Sequence, residues 1–276
     1  MKRLVRLALI PFFSLYCWAL SAPVLHGHFS LQGGIPRTEA HLIVSPAGHD
    51  PLSKHLQLWM TGPGSIEPIH RYDVEMTKQL HLIVVSSDFS IFLHVHPQLG
   101  PDGRFSLDQQ FPQAGLYYLY ADGEPASFDH QVFRFDVGVG EYASPLVRSL
   151  HPTGNAVTVG PYLVQLDKTT LHANGMDMLT VHILKDGRPA PDLHPYLGAL
   201  AHAVFLNSGD LSYVHAHPMA LGTAHMMPMS LSENTSTSSP DMMLHVELSE
   251  PGTYKLWLQF RGGDKLYVAP FVLTAQ

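Results

Sequence analysis

Residues 81–97 read HLIVVSSDFSIFLHVHP, and residues 202–218 read HAVFLNSGDLSYVHAHP. Both hold His, twelve residues, His, one residue, His and Pro, so His81, His94, His96 and Pro97 recur as His202, His215, His217 and Pro218 at a constant offset of 121. Each stretch splits into two β-type runs around a polar turn, the mark of an antiparallel hairpin. On the second run of the first copy, Phe92, His94 and His96 alternate with Ile91, Leu93 and Val95. In the twin, Tyr213, His215 and His217 alternate with Val214 and Ala216. Successive strand residues point to opposite faces. The histidines therefore share one face with Ile83 and Val85, and the other face is expected to meet a sandwich core.

A turn centred between Ser87 and Asp88, and between Ser208 and Gly209 in the twin, places His81 opposite His94 and His202 opposite His215. Directly opposed side chains stand about 4.5–5.5 Å apart. His96 and His217 follow on the same face about 6.6 Å further along. Three imidazoles then converge within reach of an ion whose bonds are about 2.0–2.1 Å long. A single strand histidine is usually structural. Three at ligand spacing, kept in both copies while their neighbours differ, point to a metal site at His81, His94 and His96, and a second at His202, His215 and His217. Neutral imidazoles suit copper, with zinc as the alternative. Met76, the run His225-Met226-Met227-Pro228-Met229 and the run Met242-Met243-Leu244-His245 favour copper, because thioethers bind Cu(I).

The duplication continues downstream. FPQAGLYYLYADG (111–123) matches LSEPGTYKLWLQF (248–260) through Gly-x-Tyr-x-Leu. Short period-two runs recur in each half, divided by Gly, Pro, Asp and Ser, and no helical stripe appears. The chain is expected to be all-β, with two Ig-like or cupredoxin-like antiparallel β-sandwich modules related by internal duplication. The first is expected over 23–140 and the second over 156–276, with a linker at 141–155.

Composition agrees with many turns and few helices: 22 Gly and 22 Pro among 276 residues, with charged residues at 14%. Histidine, at 19, outnumbers Lys and Arg together at 16. The net charge of −7 offers no basic footprint for nucleic acid. Residues 1–22 combine a positive start (Lys2, Arg3, Arg6), an apolar core and small residues at Ala19, Ser21 and Ala22, the pattern of a secretory signal. Cys17, the single cysteine, falls within it, so no disulfide is expected in the exported chain. The protein is expected in the periplasm or secreted, and not membrane-spanning once the signal is cleaved. His26-x-His28 is a further, weaker chelating pair, and the remaining scattered histidines are expected to be structural or surface groups.

The stretches VEMTKQLHLIVVSSDFSIFLHVHP (74–97), PYLGALAHAVFLNSGDLSYVHAHP (195–218) and YKLWLQFRGGDKLYVAPFVL (254–273) resemble a group of exported bacterial proteins found beside heavy-metal, particularly copper, handling functions. The resemblance covers the central strands of both halves. It implies a β-sandwich fold and a metal-binding role carried by His81, His94, His96, His202, His215 and His217. In that pattern a further His often stands where Met76 is here. The function expected is copper sequestration, delivery or tolerance, one ion per module, with another exported metal-handling protein as a partner. The alternative is a non-enzymatic β-sandwich interaction module with structural histidines. No nucleophile elbow, phosphate loop or paired carboxylate points to an enzyme.

Overall fold

The computed structural model describes residues 22–142, 150–221 and 237–276. The segment expected to be a signal, all but its last residue, lies outside the described residues, as do 143–149 of the linker and the 225–229 Met run. No described residue is helical, and no helix there is long and apolar enough to cross a membrane.

In chain order the longer strands of the first half are β1 (Glu39–Pro46), β2 (Ser53–Thr61), β3 (His81–Ser86), β4 (Phe92–Val95), β5 (Phe105–Gln110), β6 (Gly115–Gly123) and β7 (Gln131–Val139). Those of the second half are β8 (Ala156–Val159), β9 (Tyr162–Leu166), β10 (Gly175–Lys185), β11 (His202–Asn207), β12 (Tyr213–Ala216), β13 (Asp241–Leu248), β14 (Gly252–Gly262) and β15 (Lys265–Ala275). Each half is a sandwich of two sheets. The outer sheet of the first half contains β1-β2-β5 and that of the second β8-β9-β10-β13. The inner sheets run β7-β6-β3-β4 and β15-β14-β11-β12, the same order twice. Among the described strands, pairing is antiparallel except for the short strand Thr170–Leu171, which runs parallel to β15, and the isolated bridges Leu31–Tyr213 and Ala173–Leu248 are parallel too.

Each half has its own core. Leu82, Val84, Leu119, Phe135 and Leu58 are among the residues that fill the first, and Ala203, Phe205, Leu256, Phe271 and Val181 are among those that fill the second. A third apolar cluster joins the halves. Ile83, Val85, Tyr118 and Tyr120 of one inner sheet pack on Val204, Leu206, Tyr213 and Trp257 of the other. The two inner sheets therefore lie face to face, and each is covered on both sides. This explains why all six residues of β3 and all six of β11 are buried, and why LIVV and AVFL are continuous apolar runs rather than alternating ones.

Aromatic stacks repeat the duplication across this seam. Phe92 stacks on Trp257 with centroids 5.2 Å apart, and Tyr213 stacks on Tyr120 at 4.9 Å. These pairs are counterparts, because Phe92 and Tyr213 follow the 121 offset while Tyr120 and Trp257 follow the 137 offset of the downstream strands. The edge of β12 is also covered. Leu31 bridges Tyr213 in parallel, and the backbone N–H of Tyr213 donates to the carbonyl of Ser30 at 3.2 Å. Pairing there removes an open edge and ties an N-terminal strand of the first half to the second.

Candidate metal centre

The hairpins form, with a register two residues away from the expected one. Ile83 pairs with His94 and Leu82 with Val95, which puts His81 opposite His96 rather than His94. In the twin, Val204 pairs with His215 and Ala203 with Ala216, so His202 is level with His217. The cause is the turn. Ser86 N–H donates to Ile91 O at 3.2 Å, leaving a four-residue loop in which Phe89 takes a left-handed φ of 63°. Asp88 fastens this loop by accepting from the Ser90 N–H at 3.1 Å. Asn207 N–H likewise donates to Ser212 O, with Leu211 left-handed. A slip of two preserves the face, whereas a slip of one would have reversed it. All six histidines therefore still point away from the module cores and into the seam between the inner sheets.

There they meet. His81 Nδ1 lies 2.9 Å from His94 Nε2, and His96 Nε2 lies 3.2 Å from each of those atoms. In the other triad, His202 Nδ1 lies 3.3 Å from His215 Nε2 and 3.1 Å from His217 Nε2. A tetrahedral ion with bonds of about 2.0–2.1 Å sets its donors about 3.3 Å apart. All three nitrogen separations of the first triad, and the two measured from His202 Nδ1 in the second, suit such an ion. The triads are not separate patches: the ring of His94 is 5.0 Å from His202 and 5.6 Å from His215, while rings within a triad are 4.5–5.5 Å apart. Two nitrogen sets satisfy a common ligand spacing, His81/His94/His96 within one half and His94/His202/His215 across the seam. The sites expected one to a module thus lie side by side in a single cluster of six imidazoles, because the inner sheets pack histidine face to histidine face.

The outward nitrogens of His81, His94, His202 and His215 are held by acceptors. His81 Nε2 is 3.1 Å from the Glu75 carbonyl and His202 Nε2 is 3.0 Å from the Tyr196 carbonyl. Each carbonyl is presented by a tight turn. Glu75 and Lys78 exchange backbone hydrogen bonds around Met76 and Thr77, both left-handed, and Tyr196 and Ala199 do so around Leu197 and Gly198. Met76, where the resemblance has a histidine, is thus a turn residue, half-buried beside the carbonyl that orients His81.

The remaining acceptors cross the seam. His94 Nδ1, from the first half, is 2.9 Å from Gln259 Oε1 of the second. His215 Nδ1, from the second half, is 3.0 Å from Asp122 Oδ2 of the first. Asp122 and Gln259 occupy matching positions, opposite His81 on β6 and opposite His202 on β14. Carbonyl and carboxylate oxygens carry no proton, so they fix the hydrogens on these outward nitrogens. The inward nitrogens are then left as bare lone pairs aimed at one another.

The surroundings favour the neutral form of His81, His94, His96, His202 and His217. Burial, reinforced by neighbouring imidazoles, holds His94 and His217 down at about 2 and His96 at about 3, against about 6.5 for an exposed imidazole. Burial lowers His81 and His202 as well. Beside the second triad sits a charged group that has no twin. Asp122, 1% exposed, accepts from Tyr213 Oη at 2.8 Å and pairs with His130 at 2.8 Å, and His130 reaches Glu75 at 3.2 Å. Burial opposes charge on His130, yet Asp122 and Glu75 outweigh it and raise the ring to about 10. Despite burial, bonds from His130 and His215 keep Asp122 well below the usual carboxylate range. Glu75, Asp122 and His130 could themselves hold an ion; the protonated His130 between two carboxylates already fills that role as an ion pair.

The other candidates fare differently. His26 pairs with His41 in the outer sheet while His28 pairs with Arg134 in the inner one, so this pair is divided between sheets. Met242 is core, and Met243 and His245 lie on the outer face of β13. Sequence reasoning missed Asp122, Gln259, Glu75, Tyr196 and His130. The signal available was a polar residue closing an otherwise apolar run in LYYLYAD and again in KLWLQ, at matching positions.

The profile of a family described as "Domain of unknown function (DUF8832)" matches residues 51–141 and 157–276. No curated protein matches the chain. Among solved structures, a glycosyl hydrolase family 2 member from Bacteroides cellulosilyticus DSM 14838 is similar at 12% identity with a TM-score of 0.26. The alignment covers 87% of this chain and 29% of that one. The chicken interferon gamma receptor alpha chain is similar at 10% identity and a TM-score of 0.21, over 84% of this chain and 95% of that one.

Proposed function

The chain belongs to the DUF8832 family, and from its paired imidazole triads we propose that it is an exported metal-binding protein, with copper as the ion and sequestration or delivery as the role. One observation carries the reading. His202 Nδ1 and His215 Nε2 face each other at 3.3 Å while a carbonyl and a carboxylate hold the hydrogens of both rings on the far side. Two buried lone pairs in that position repel unless a cation lies between them. The first triad repeats the arrangement at 2.9 Å.

Six imidazoles with no carboxylate donor suit copper or zinc rather than a hard cation. Copper is supported by the neutral, all-imidazole donor set and by the methionine-rich runs of the sequence, and zinc is the competitor. Holding or handing on the ion, rather than catalysis, is part of the proposal, as is export, which rests on the character of residues 1–22.

The test uses residues 23–276 prepared metal-free and titrated with Cu(I), Cu(II) and Zn(II) against chelators of known affinity. Binding tighter than about micromolar is expected, with copper preferred. It should weaken at least about 100-fold when His94 and His215 are both changed to Ala. Affinity no better than micromolar, or unchanged in the double variant, overturns the reading.

A further inference from the structure

The geometry points to one dinuclear centre: we propose that the two triads each hold a copper ion, and that a small exogenous anion binds between the two ions. This rests on the metal-binding reading above and goes beyond it in stoichiometry, in coupling and in naming a second ligand.

Distance comes first. The ligating nitrogen of His94 lies within 4.8 Å of those of His202 and His215. With bonds of about 2.0–2.1 Å on either side, an ion in the first triad and one in the second stand at most about 9 Å apart. The rings of His81 and His202, the first residue of each motif, are 6.1 Å apart, and His81 and His215 are 5.5 Å apart. The two ions would therefore be neighbours in one chamber.

Charge comes second. Two Cu(II) ions bring four positive charges into a seam whose donors are neutral. The buried carboxylate beside the seam, Asp122, is already committed to His130, Tyr213 and the far side of His215. Among the described residues no other carboxylate bonds a triad histidine, so none supplies an anion between the triads. Repulsion at this range is strong in a dry interior, and an anion placed between the ions relieves it. Two Cu(I) ions repel each other only about a quarter as much, so the reduced pair needs no such ligand. The ring spacing across the seam, 5.0–6.1 Å, limits the guest to a hydroxide, a halide or a slim linear ion.

The experiment loads the full mature chain with Cu(II), counts copper per chain, integrates the electron paramagnetic resonance signal and adds azide as the probe anion. The expected result is two ions per chain, a signal well below that of two isolated Cu(II) ions, and a new azide-to-copper absorption that saturates at one azide per pair. His96→Ala and His217→Ala, each removing one half-buried ligand, should each give one ion per chain and a full-intensity signal. Two ions with full-intensity, uncoupled signals overturn the inference, and so does one ion per chain held across His94, His202 and His215. Either of those leaves metal binding standing. No bound copper at all removes both readings.

Discussion

His215 of the second half donates through Nδ1 to the buried carboxylate of Asp122 in the first, at 3.0 Å. The counterpart bond joins His94 to Gln259, a neutral carboxamide. A carboxylate acceptor makes its imidazole a more basic donor than a carboxamide does. The second triad should therefore bind Cu(II) before the first. Asp122→Asn is expected to weaken the tighter of two binding steps about 10- to 100-fold and to bring the two steps together in a chelator-competition titration.

Gln259→Leu removes the acceptor that turns His94 Nε2 inward and leaves Asp122 untouched. The weaker step should fall about 10-fold or more, with the tighter step unchanged. Loss of both steps together would mean that the two halves of the centre cannot be filled separately.

The metal-free protein should be most stable near neutral pH. His94, His96, His202 and His217 have folded values far below that of the unfolded chain, and His81 is lowered too. Each takes up a proton on unfolding once the pH drops below about 6.5, so stability falls on the acid side at up to about 1.4 kcal/mol per pH unit for each ring. His130 has the opposite sign. Raised to about 10, it contributes fully below about 6.5 and loses that contribution as pH rises through about 10. Urea midpoints of the apo chain between pH 4.5 and 9 should show a steep acid limb and a shallow alkaline one. A flat acid limb would contradict the burial of neutral imidazoles.

Trp257, 2% exposed, fills the seam against Phe92 and Phe89. Trp257→Ala should cost about 3–5 kcal/mol, read from chemical unfolding. Copper affinity should drop with it, since the same seam aligns the triads. A stability loss with affinity intact would show that the histidine end of the seam is held independently.

Thr77 is β-branched and left-handed at φ 69°, in the turn that presents the Glu75 carbonyl to His81. This strain lies next to the site rather than at random. Thr77→Gly should raise the unfolding free energy by about 1 kcal/mol while leaving copper affinity in place, because the carbonyl stays where it is.

The histidine motif and the face its members share were legible because strand periodicity is local and survives a register error of two. The turn was not. A four-residue loop with Phe89 or Leu211 left-handed leaves no strong mark, since neither residue is the Gly or Asn that such a backbone prefers. The convergence of the two triads was hidden for a different reason. Asp122 contacts a ring 93 positions away and Gln259 one 165 positions away, and no periodic signal spans such separations. What could be read is that both residues interrupt an apolar strand at matching places in the two copies, and that β3 and β11 are too uniformly apolar to have one wet face.

The face-to-face packing of two equivalent sheets has a consequence for symmetry. A lone module of this kind could complete the same centre by pairing with a second copy of itself about a two-fold axis. In such a homodimer every carboxylate at position 122 would be answered by another, and two unlike sites could not exist. Joining the modules in one chain removes that constraint. It lets the first half bring Asp122, with Tyr213 of the second beside it, while the second half keeps Gln259, with Phe92 of the first in the matching place. The inequality between the two halves of the cluster is something only a fused pair can hold.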